Sequence, residues 1–584
     1  MKRYLFAILL CALALVSGPT QAAKNAAADW YLYVYSDTYS LDQNIGQFQT
    51  TDEANIFVIA SCDVTAKGIN FCVHNNSWSN QYGWKSAGVT TTGVEVELAT
   101  ATQANGWLDL PAGTYKVTFN SSALTIRFDE PDPEPDPTFL RGGDLSMATY
   151  LEDWGIVYKD STGVAGDVFD ILADYGINLA RLRLYHTPGT AVTKSDGTYR
   201  TPVKTRYNNW VGRENYYAGL TDVLNLATRA KNHNMKICLS IYLSDFWSGA
   251  DQQFIPAAWK DVTNRTTLGD SVYNYVLRVM NAMKEQGTTP EYVSIGNESN
   301  YGILYHDLNN NEVSFGGKVS GGYSNYIYLH NRAAAAVRTV APNAKIIVHN
   351  SYGDSGKTSI CRSFFQALNN GDCDYDIVGG SYYPHWATDH KASDCTPTGM
   401  LTWAQDMENN IGKPVMLMEV GYSWHPYKCP GRNGGEWAGQ LGTNGCYAEA
   451  TETGQESFIR ELHTALRTDE NILGYMYWDP IFVDQQVGGY WAETCWAEKY
   501  SGSGTTWWND GNVISNTTLF DFEGNPLKAL YREIASYAPA KPDTPTSVEN
   551  VQRDNVQCTK VLKEGQLYLM YKGTMYDVQG RRIR

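Results

Sequence analysis

Two glutamates stand at the ends of strongly apolar runs. The run VSIGNE ends at Glu298, and the run VMLME ends at Glu419. A carboxylate in such a place is costly to bury unless it is hydrogen-bonded or has a chemical use. The structural alternative is that a strand-end acid caps the following helix. That alternative is weaker for Glu298, which follows Asn297, than for Glu419 taken alone.

A carboxyl pair of this kind fits the hydrolysis of a glycosidic bond. One carboxylic acid protonates the leaving oxygen, and a second carboxylate attacks or stabilises the oxocarbenium-like centre. The acid must hold its proton in a dry setting, whereas the second carboxylate must stay ionised among donors. We therefore predict Glu298 as acid/base and Glu419 as nucleophile. Arg183 is the predicted donor to Glu419, with an ordinary salt bridge as its alternative.

Eight apolar strand-like runs alternate with eight helix-like runs around these residues. The strand-like runs are Leu140–Leu145, Leu179–Tyr185, Lys236–Tyr242, Tyr292–Ile295, Lys345–His349, Ile377–Tyr383, Val415–Val420 and Leu473–Trp478. The helix-like runs are Val168–Tyr175, Tyr217–His233, Gly269–Gln286, Asn325–Val340, Ser359–Asn369, Thr398–Asn410, Gln455–Thr468 and Pro526–Tyr537. Nearly continuous apolar strands indicate burial on both faces, as in parallel sheets.

Eight such units predict an α/β fold, a (β/α)8 TIM barrel, with its site at the C-terminal strand ends. The fourth and seventh strands face each other across this barrel, so Glu298 and Glu419 can meet. The alternative is a doubly wound open sheet, which usually has a glycine-rich first turn for a cofactor. The sequence has no such turn.

Two proline-containing segments divide the chain into domains. Residues 130–137 alternate acid and proline and predict an extended linker, and residues 539–547 form a weaker one. Between them, residues 138–538 hold the predicted barrel. Short alternating runs in residues 24–129 predict an N-terminal all-β sandwich. Residues 548–584 predict a short β-rich tail, which resembles sorting segments of exported bacterial proteins; a small hairpin is the alternative.

The N-terminal domain also carries aromatic residues that could contact sugar. The chain contains 17 Trp and 40 Tyr, and flat rings stack on the apolar faces of sugars while their polar tips stay wet. Trp78, Trp84 and Trp107 are candidates for a sugar-binding platform, with core or strand-edge packing as an equal alternative. The domain loosely resembles outer-membrane starch-binding modules.

The first residues have the pattern of a signal peptide. Lys2 and Arg3 precede an apolar run, Tyr4–Val16, which is too short to span a bilayer, and Thr20-Gln21-Ala22 fits a cleavage site. We predict that residues 1–22 are removed on export, leaving the protein extracellular, at the cell surface or in the periplasm. No later stretch predicts a transmembrane segment.

Export permits disulfide bonds. The sequence contains 11 Cys, one of which lies in the predicted signal peptide. Cys62 with Cys72 and Cys429 with Cys446 are plausible local pairs. Cys238, inside an apolar run, predicts a buried thiol.

The net charge of −16 argues against binding to nucleic acid or to anionic membranes, which require basic surfaces. It also disfavours a strongly acidic polysaccharide. No cysteine or histidine spacing indicates a metal centre, and we predict a monomer that needs no cofactor for catalysis.

An ordered set of motifs resembles glycoside hydrolase family 53, the endo-β-1,4-galactanases. The motifs are Gly142-Gly143-Asp144-Leu145-Ser146, Leu151-Glu152-Asp153-Trp154-Gly155, Asp170-Ile171-Leu172, Asn178 to Arg183, Ser244-Asp245-Phe246-Trp247 with Asp251 and Gln253, Ile295 to Glu298, Ser381-Tyr382-Tyr383-Pro384, Tyr477-Trp478-Asp479-Pro480, and Leu519 to Pro526. The match spans about residues 138 to 538.

The resemblance implies a secreted enzyme that hydrolyses β-1,4-galactan, including arabinogalactan side chains of pectin, with retention at Glu298 and Glu419. It implies Asn297 as a donor to the sugar 2-hydroxyl and Arg183 as support for the nucleophile. The galactose subsites would be lined by Asp245, Trp247, Tyr383, Trp478 and Asp479. For Trp478, barrel-core packing is the alternative. Asp479 stands where the family commonly has Glu.

Bacterial relatives in this family often hold a structural calcium after the seventh strand in an Asp-x-Asp-x-His-x-Asn run. This sequence lacks that run, and Cys429 to Cys446 occupy the region instead. A disulfide that replaces the metal and a structural calcium are the two alternatives. Two alternatives to a galactanase remain from the sequence. One is a retaining barrel enzyme acting on another β-1,4-glycan, such as mannan or glucan, and the other is a non-catalytic glycan-binding protein.

Overall fold

A computed structural model describes most of the 584-residue chain. The described residues are 27–35, 43–51, 54–64, 69–84, 88–100, 106–129, 138–188, 192–193, 199–200, 217–245, 248–250, 253–307, 311–385, 392–426, 449–483, 486–487, 490–491, 515–538, 559–563, 566–571 and 574–576. They divide into two compact units, Met1–Ala538 and Pro539–Arg584. The predicted signal peptide and both predicted linkers lie outside the described residues.

The N-terminal region forms nine antiparallel strands. They are β1 (Ala27–Tyr35), β2 (Gln43–Thr50), β3 (Ile56–Val64), β4 (Ile69–Asn75), β5 (Gln81–Trp84), β6 (Val96–Thr100), β7 (Gly106–Leu108), β8 (Gly113–Asn120) and β9 (Thr125–Asp129). Strand pairing runs β1-β2-β3-β8-β9-β6-β5-β4, and β4 pairs again with β1, while β7 pairs with β4. Inward side chains such as Leu32, Phe71, Val117 and Phe119 are fully buried.

This closed ring corrects the predicted two-sheet sandwich, because the hydrogen-bonded strands form one antiparallel barrel. The sequence could not separate the two folds, since inward and outward residues alternate in the same way in both. The ring also explains why Cys62 does not form the expected disulfide with Cys72. Cys62 lies on β3, paired with β8, whereas Cys72 lies on β4, paired with β1. Burial raises the pKa of the Cys62 thiol to about 12.

Eight parallel strands close into the predicted (β/α)8 barrel. They are β10 (Leu140–Asp144), β11 (Leu179–Leu184), β12 (Lys236–Ile241), β13 (Tyr292–Ile295), β14 (Lys345–Asn350), β15 (Ile377–Tyr382), β16 (Val415–Val420) and β17 (Ile472–Tyr477). Each predicted strand boundary lies within one residue of the observed one. Nearly every strand residue is buried, as expected when helices cover the outside and side chains fill the inside. Cys238 is a buried thiol here, as predicted.

Eight α-helices accompany the barrel strands in the described residues. They are α1 (Ala148–Trp154), α2 (Val168–Asp174), α3 (Leu220–Asn232), α4 (Arg265–Glu285), α5 (Ser324–Val340), α6 (Thr358–Asn370), α7 (Pro397–Ile411) and α8 (Glu452–Leu466). The prediction missed α1, and the predicted last helix is instead a π-helix, Ala529–Ile534, followed by a 3-10 turn, Ala535–Tyr537. None of the described helices is long and apolar enough to cross a membrane.

Local sequence signals define the helix ends. In α7, the Thr396 side chain accepts from the Gly399 N–H, and Pro397 occupies the first turn. At the other end, Gly412 adopts a left-handed conformation with φ 74° and accommodates the C-cap without a Cβ clash. Such signals fix where each helix starts and therefore how long the loop before it is.

Charged side chains join the N-terminal barrel to the outer face of the larger one. Arg127 on β9 lies 3.8 Å from Glu456 on α8, and Arg532 lies 3.4 Å from the same carboxylate. Arg460 pairs with Glu533 at 3.1 Å. Burial raises the pKa of Glu533, against the opposing effect of Arg460. Removing one partner of a buried ion pair leaves an uncompensated charge and lowers stability. This cluster of ion pairs therefore holds the two barrels in contact.

The second unit contains three antiparallel strands, β18 (Thr559–Lys563), β19 (Gln566–Tyr571) and β20 (Thr574–Tyr576). The predicted β-rich character of the tail is present in these strands. Its role as a sorting segment stays a prediction.

Buried histidines make the large barrel sensitive to acid. Burial lowers the pKa of His330 to about 4 and those of His385 and His463 to about 3. In the unfolded chain these histidines have a pKa of about 6.5. As the pH falls below that value, the unfolded chain binds protons that the folded protein does not, and this favours unfolding. Their stabilising effect is complete above about pH 6.5 and is lost progressively down to the folded pKa values.

We expect the free energy of unfolding to fall by about 2 kcal/mol per buried histidine between pH 6.5 and pH 5. Urea denaturation at several pH values measures this slope. The variant His463→Gln should show a shallower slope than the wild type, because it lacks the buried imidazole. An unchanged slope in His463→Gln would contradict the account.

Candidate active site

The two predicted glutamates meet inside the mouth of the large barrel. Glu298 lies three residues after the end of β13 with 9% of its surface exposed, and Glu419 lies within β16 with 3% exposed. One oxygen of each carboxyl group and one ring nitrogen of His349 all lie within 4.8 Å of one another. Retaining glycosidases separate their carboxyl groups by about 5–5.5 Å and inverting ones by about 6.5–9.5 Å. The two chosen oxygens are thus closer than the inverting range, which fits a retaining pair.

The backbone at Glu298 is strained. Its φ is 45°, in the left-handed region that a side chain of this size rarely adopts, and Gly296 just before it has φ 78°. A Cβ at position 296 would lie 3.1 Å from Ile303, so glycine permits the turn. Strain of this kind is often retained where it positions a functional side chain.

Both oxygens of Glu419 accept hydrogen bonds. Arg181 donates from Nη1 to Oε1 at 2.7 Å, and Tyr383 donates its hydroxyl to Oε2 at 2.8 Å. Burial alone would lower the pKa of Arg181, but Tyr242, Glu419 and Asp144 together raise it above its ordinary value. Burial, reinforced by Glu419, raises the pKa of Tyr383 well above its ordinary value. Glu419 thus faces a permanent cation and a neutral hydroxyl donor.

The donor to Glu419 is therefore Arg181, and the prediction of Arg183 for this contact was wrong. Arg183 Nη2 instead bonds Asp479 at 3.1 Å, and its Nε lies 3.2 Å from Asp144. The two arginines are two residues apart on β11, so both point to the same side of the strand, into the barrel. Sequence alone could not say which of them reaches across to β16.

Asp479 lies fully buried beside Arg183. Burial raises the pKa of this carboxyl group well above its ordinary value, against the opposing charge of Arg183 and with Asp144 adding to the rise. Its described contacts place it in an internal charge cluster with Arg183 and Asp144. The predicted direct contact of Asp479 with sugar stays a prediction.

A chain of hydrogen bonds reaches the other glutamate. The Ser381 hydroxyl donates to Glu298 Oε1 at 2.7 Å, and His349 Nε2 lies 2.9 Å from the Ser381 oxygen. Because a hydroxyl has one hydrogen to give, His349 Nε2 is the donor to Ser381 in this arrangement. Burial, followed by the charge of Arg181, lowers the pKa of His349 well below its ordinary value, so the ring is neutral.

Sequence reasoning assigned no role to Ser381 or His349. The signal was present, because His349 lies on β14 and Ser381 on β15 near their C-terminal ends, where polar residues of this fold gather. The same rule had identified Glu298 and Glu419.

Asn297 is held in one orientation next to Glu298. Its Oδ1 accepts from Arg181 Nη2 at 2.7 Å, and its Nδ2 donates to the Ser248 carbonyl oxygen at 2.8 Å. Gln253 donates to the Asn297 backbone carbonyl oxygen at 2.8 Å. Arg181 thus links the side chains of Glu419 and Asn297, which fixes their spacing.

Three further predicted subsite residues have different placements. Asp245 accepts from the backbone N–H groups of Thr187 and Ala257 at 3.0 and 2.8 Å, so it ties two loops together. Trp478 is buried and meets the Tyr383 ring edge-on at 6.2 Å. Trp247 lies outside the described residues, as do Cys429 and Cys446.

The carboxyl groups of Glu298 and Glu419 and a ring nitrogen of His349 lie close enough together to ligate a divalent cation. The Arg181 guanidinium is 2.7 Å from Glu419, and it opposes a second positive charge at that oxygen. Glu419 is held by the Arg181 cation and Glu298 by the neutral Ser381 hydroxyl. This arrangement fits a nucleophile and an acid better than it fits two metal ligands.

A (β/α)8 barrel with such a carboxyl pair defines a glycoside hydrolase. A model of the family described as "Glycosyl hydrolase family 53" matches residues 140–532, and the chain belongs to this family.

Named relatives agree with this assignment. The "Arabinogalactan endo-beta-1,4-galactanase" of Cellvibrio japonicus is 28% identical over 413 residues, which cover 68% of this chain and 91% of the relative. The "Arabinogalactan endo-beta-1,4-galactanase A" of Emericella nidulans is 30% identical over 375 residues, 63% of this chain and 88% of the relative. The solved "Ignisphaera aggregans GH53 catalytic domain" matches with a TM-score of 0.55 and 26% identity, covering 70% of this chain and 98% of that one.

Proposed function

We propose that this protein is a secreted endo-β-1,4-galactanase that hydrolyses the β-1,4-galactosidic linkages of galactan and arabinogalactan with retention of configuration. The observation that carries the proposal is the approach of Glu298 and Glu419 oxygens to within 4.8 Å. The galactanase names of the family relatives support the choice of galactan.

In the first step, a Glu419 oxygen attacks the anomeric carbon while Glu298 gives its proton to the leaving glycosidic oxygen. The glycosidic bond breaks and a covalent glycosyl ester forms on Glu419. In the second step, Glu298 takes a proton from water, whose oxygen attacks the anomeric carbon and releases Glu419. Glu298 is then protonated again, and the product keeps its original configuration.

Arg181 and Tyr383 position Glu419 for this attack. Their hydrogen bonds occupy Oε1 and Oε2 and stabilise the charge that returns to the carboxylate when the ester breaks. Asn297 uses one amide hydrogen on Ser248, and the other has no acceptor among the described residues. We assign that hydrogen to the sugar 2-hydroxyl, where contacts strengthen in the transition state.

Ser381 positions the proton of Glu298. By donating to Oε1, it holds the carboxyl group that gives the proton in one orientation. We expect Ser381→Ala to lower kcat by about 10- to 100-fold, since hydrogen bonds to charged groups contribute about 1.5–3 kcal/mol. The pH–rate profile should change on the limb that reports the acid.

The matched control is Ser381→Thr, which keeps a hydroxyl at the same position and should recover most of the lost activity. Wild-type kinetics in Ser381→Ala would contradict a positioning role, and so would a similar loss in both variants at an unchanged pH profile.

Hydrolysis assays on galactan, mannan and cellulose test the substrate, and NMR of the first products tests the stereochemistry. We expect galactan to be cut and the β-anomer to appear first. Cleavage of mannan or cellulose with galactan intact would overturn the substrate, and an initial α-anomer would overturn the retaining mechanism.

We further propose that the enzyme acts as a monomer outside the cytoplasm and needs no cofactor for catalysis. Two carboxyl groups and water supply all the atoms of the reaction, and the signal-peptide pattern of residues 1–22 supports export. N-terminal sequencing of the mature protein tests processing, and activity after dialysis against a chelator tests the absence of a catalytic metal.

A further inference from the structure

The outer face of the N-terminal barrel carries a layered set of aromatic rings. Tyr31 on β1 lies directly opposite His74 on β4, and their rings stack with centroids 5.5 Å apart. Trp78 stacks on His74 with centroids 3.6 Å apart and an interplanar angle of 12°. Tyr33 meets Trp78 edge-on at 5.1 Å. We call Tyr31, Tyr33, His74 and Trp78 the Trp78 cluster.

The cluster exposes one ring and supports it from below. His74 is only 2% exposed, whereas Trp78 is 40% exposed. Because His74 covers one face of the indole, the exposed surface belongs to the opposite face and its edge. His74 Nδ1 is 2.8 Å from the Asn75 carbonyl oxygen, and the Asn44 side-chain amide lies 2.8 Å from Nε2, so the supporting ring cannot rotate freely.

The backbone at Trp78 is strained. Trp78 has φ 56°, and a bulky residue in the left-handed region is a conformational outlier. The turn is held in place by local hydrogen bonds. Trp78 N–H donates to the Asn75 carbonyl oxygen at 2.8 Å, and the Asn75 amide donates to Ser77 and Ser79 at 3.0 and 2.8 Å. The strained turn is fixed by these hydrogen bonds and exposes a large apolar ring to water. Retained strain of this kind indicates a binding role for the ring and not a role in core packing.

The surroundings of the ring indicate the kind of ligand. Residues 75–81 read NNSWSNQ, so the exposed indole is flanked by amides and hydroxyls and by no charged side chain of its own segment. A single flat ring with neutral hydrogen-bonding groups complements a sugar, which presents an apolar C–H face edged by hydroxyl groups. Nucleic acid would require a basic surface instead, and a protein interface would require a much larger apolar area.

From this geometry we infer that the Trp78 cluster is a carbohydrate-binding site that holds neutral galactan chains on the N-terminal barrel, separately from the catalytic residues. The identity of the glycan rests on the proposed function, because the site shares its chain with the galactanase barrel. The family match starts at residue 140 and does not reach this domain. A second site of this kind raises the effective concentration of polymer near the enzyme.

Affinity electrophoresis of the full-length protein through gels containing pectic galactan measures the binding. A Glu298→Gln background prevents the polymer from being cut. We expect Trp78→Ala to weaken retention by about tenfold, the size of effect seen when one aromatic anchor is removed. Trp78→Phe should keep most of the retention, and Val94→Ala, at another exposed position of the same domain, should keep all of it.

A further variant separates binding from folding. Trp78→Gly suits the positive φ, so its melting temperature should stay within about 2 °C of the wild type while its galactan retention falls as in Trp78→Ala. With Glu298 intact, kcat/KM on a short galacto-oligosaccharide should be unchanged in every Trp78 variant, because a short ligand needs only the barrel site.

Wild-type retention in Trp78→Ala would overturn the inference, and so would a Trp78→Gly variant that loses binding only because it unfolds. Galactan that remains uncut by the wild type would instead refute the proposed function. In that case retention is compared in gels of galactan, mannan, xylan and cellulose. Retention in galactan alone keeps galactan as the ligand, and retention in another gel or in none overturns it.

Discussion

Replacing either active-site glutamate by glutamine will lower kcat on galactan by roughly three or more orders of magnitude, which is more than about 4 kcal/mol of transition-state stabilisation. Glu419→Gln removes the nucleophile, and Glu298→Gln removes the only group placed to protonate the leaving oxygen in the described site. Both changes keep the shape of the side chain, so folding should survive. Initial rates together with thermal unfolding measure the two effects separately.

Added azide will distinguish the two roles. In Glu298→Ala, azide can attack the glycosyl ester on Glu419 and should yield the β-glycosyl azide. In Glu419→Ala, it can occupy the vacated space and attack the substrate directly, which should yield the α-glycosyl azide. Glu285→Gln at the exposed end of α4 serves as the control and should behave like the wild type. An exchange of the two azide products would reverse the assigned roles.

Arg181→Lys will lower kcat by about 100-fold or more, because a lysine cannot make the two charged hydrogen bonds that Arg181 donates to Glu419 and Asn297. Each such bond contributes about 1.5–3 kcal/mol, and a point charge does not reproduce the fork of a guanidinium. The loss should fall mainly on kcat, since the nucleophile and Asn297 lose their alignment together.

Arg183→Lys is the matched control, with equal burial, the same strand and the same charge. Its described partners are Asp144 and Asp479, and it donates to neither reacting residue. We expect a lower melting temperature but a change in kcat of less than about tenfold. A larger activity loss in Arg183→Lys than in Arg181→Lys would show that the structure assigns the two arginines wrongly.

The large barrel could be predicted closely because its signals repeat. Strands buried on both faces, such as Val415–Val420, read as continuous apolar runs, and each is followed by an amphipathic helix. For the N-terminal domain, the sequence predicted the strands but not how they pair. Its alternating strands specify an inside and an outside, but whether β4 pairs with β1 to close the ring depends on contacts between strands distant in sequence.

The same limit applies within the site. Glu298 and Glu419 stand out because a buried carboxylate at a strand end is unusual. The choice between Arg181 and Arg183 depends on the stagger of β11 against β16, which the local sequence does not encode. The histidine–serine chain to Glu298 joins three strands, so no single motif contains it.

Trapping the covalent intermediate tests the central claim most directly. A 2-deoxy-2-fluoro-galactoside with an activated leaving group slows the second step more than the first, so a glycosyl ester should accumulate. Mass spectrometry of the digested protein should find the label on the peptide that contains Glu419, and none should form in Glu419→Gln. A label on Glu298, or turnover of the substrate with inversion and no labelled peptide, would contradict the account.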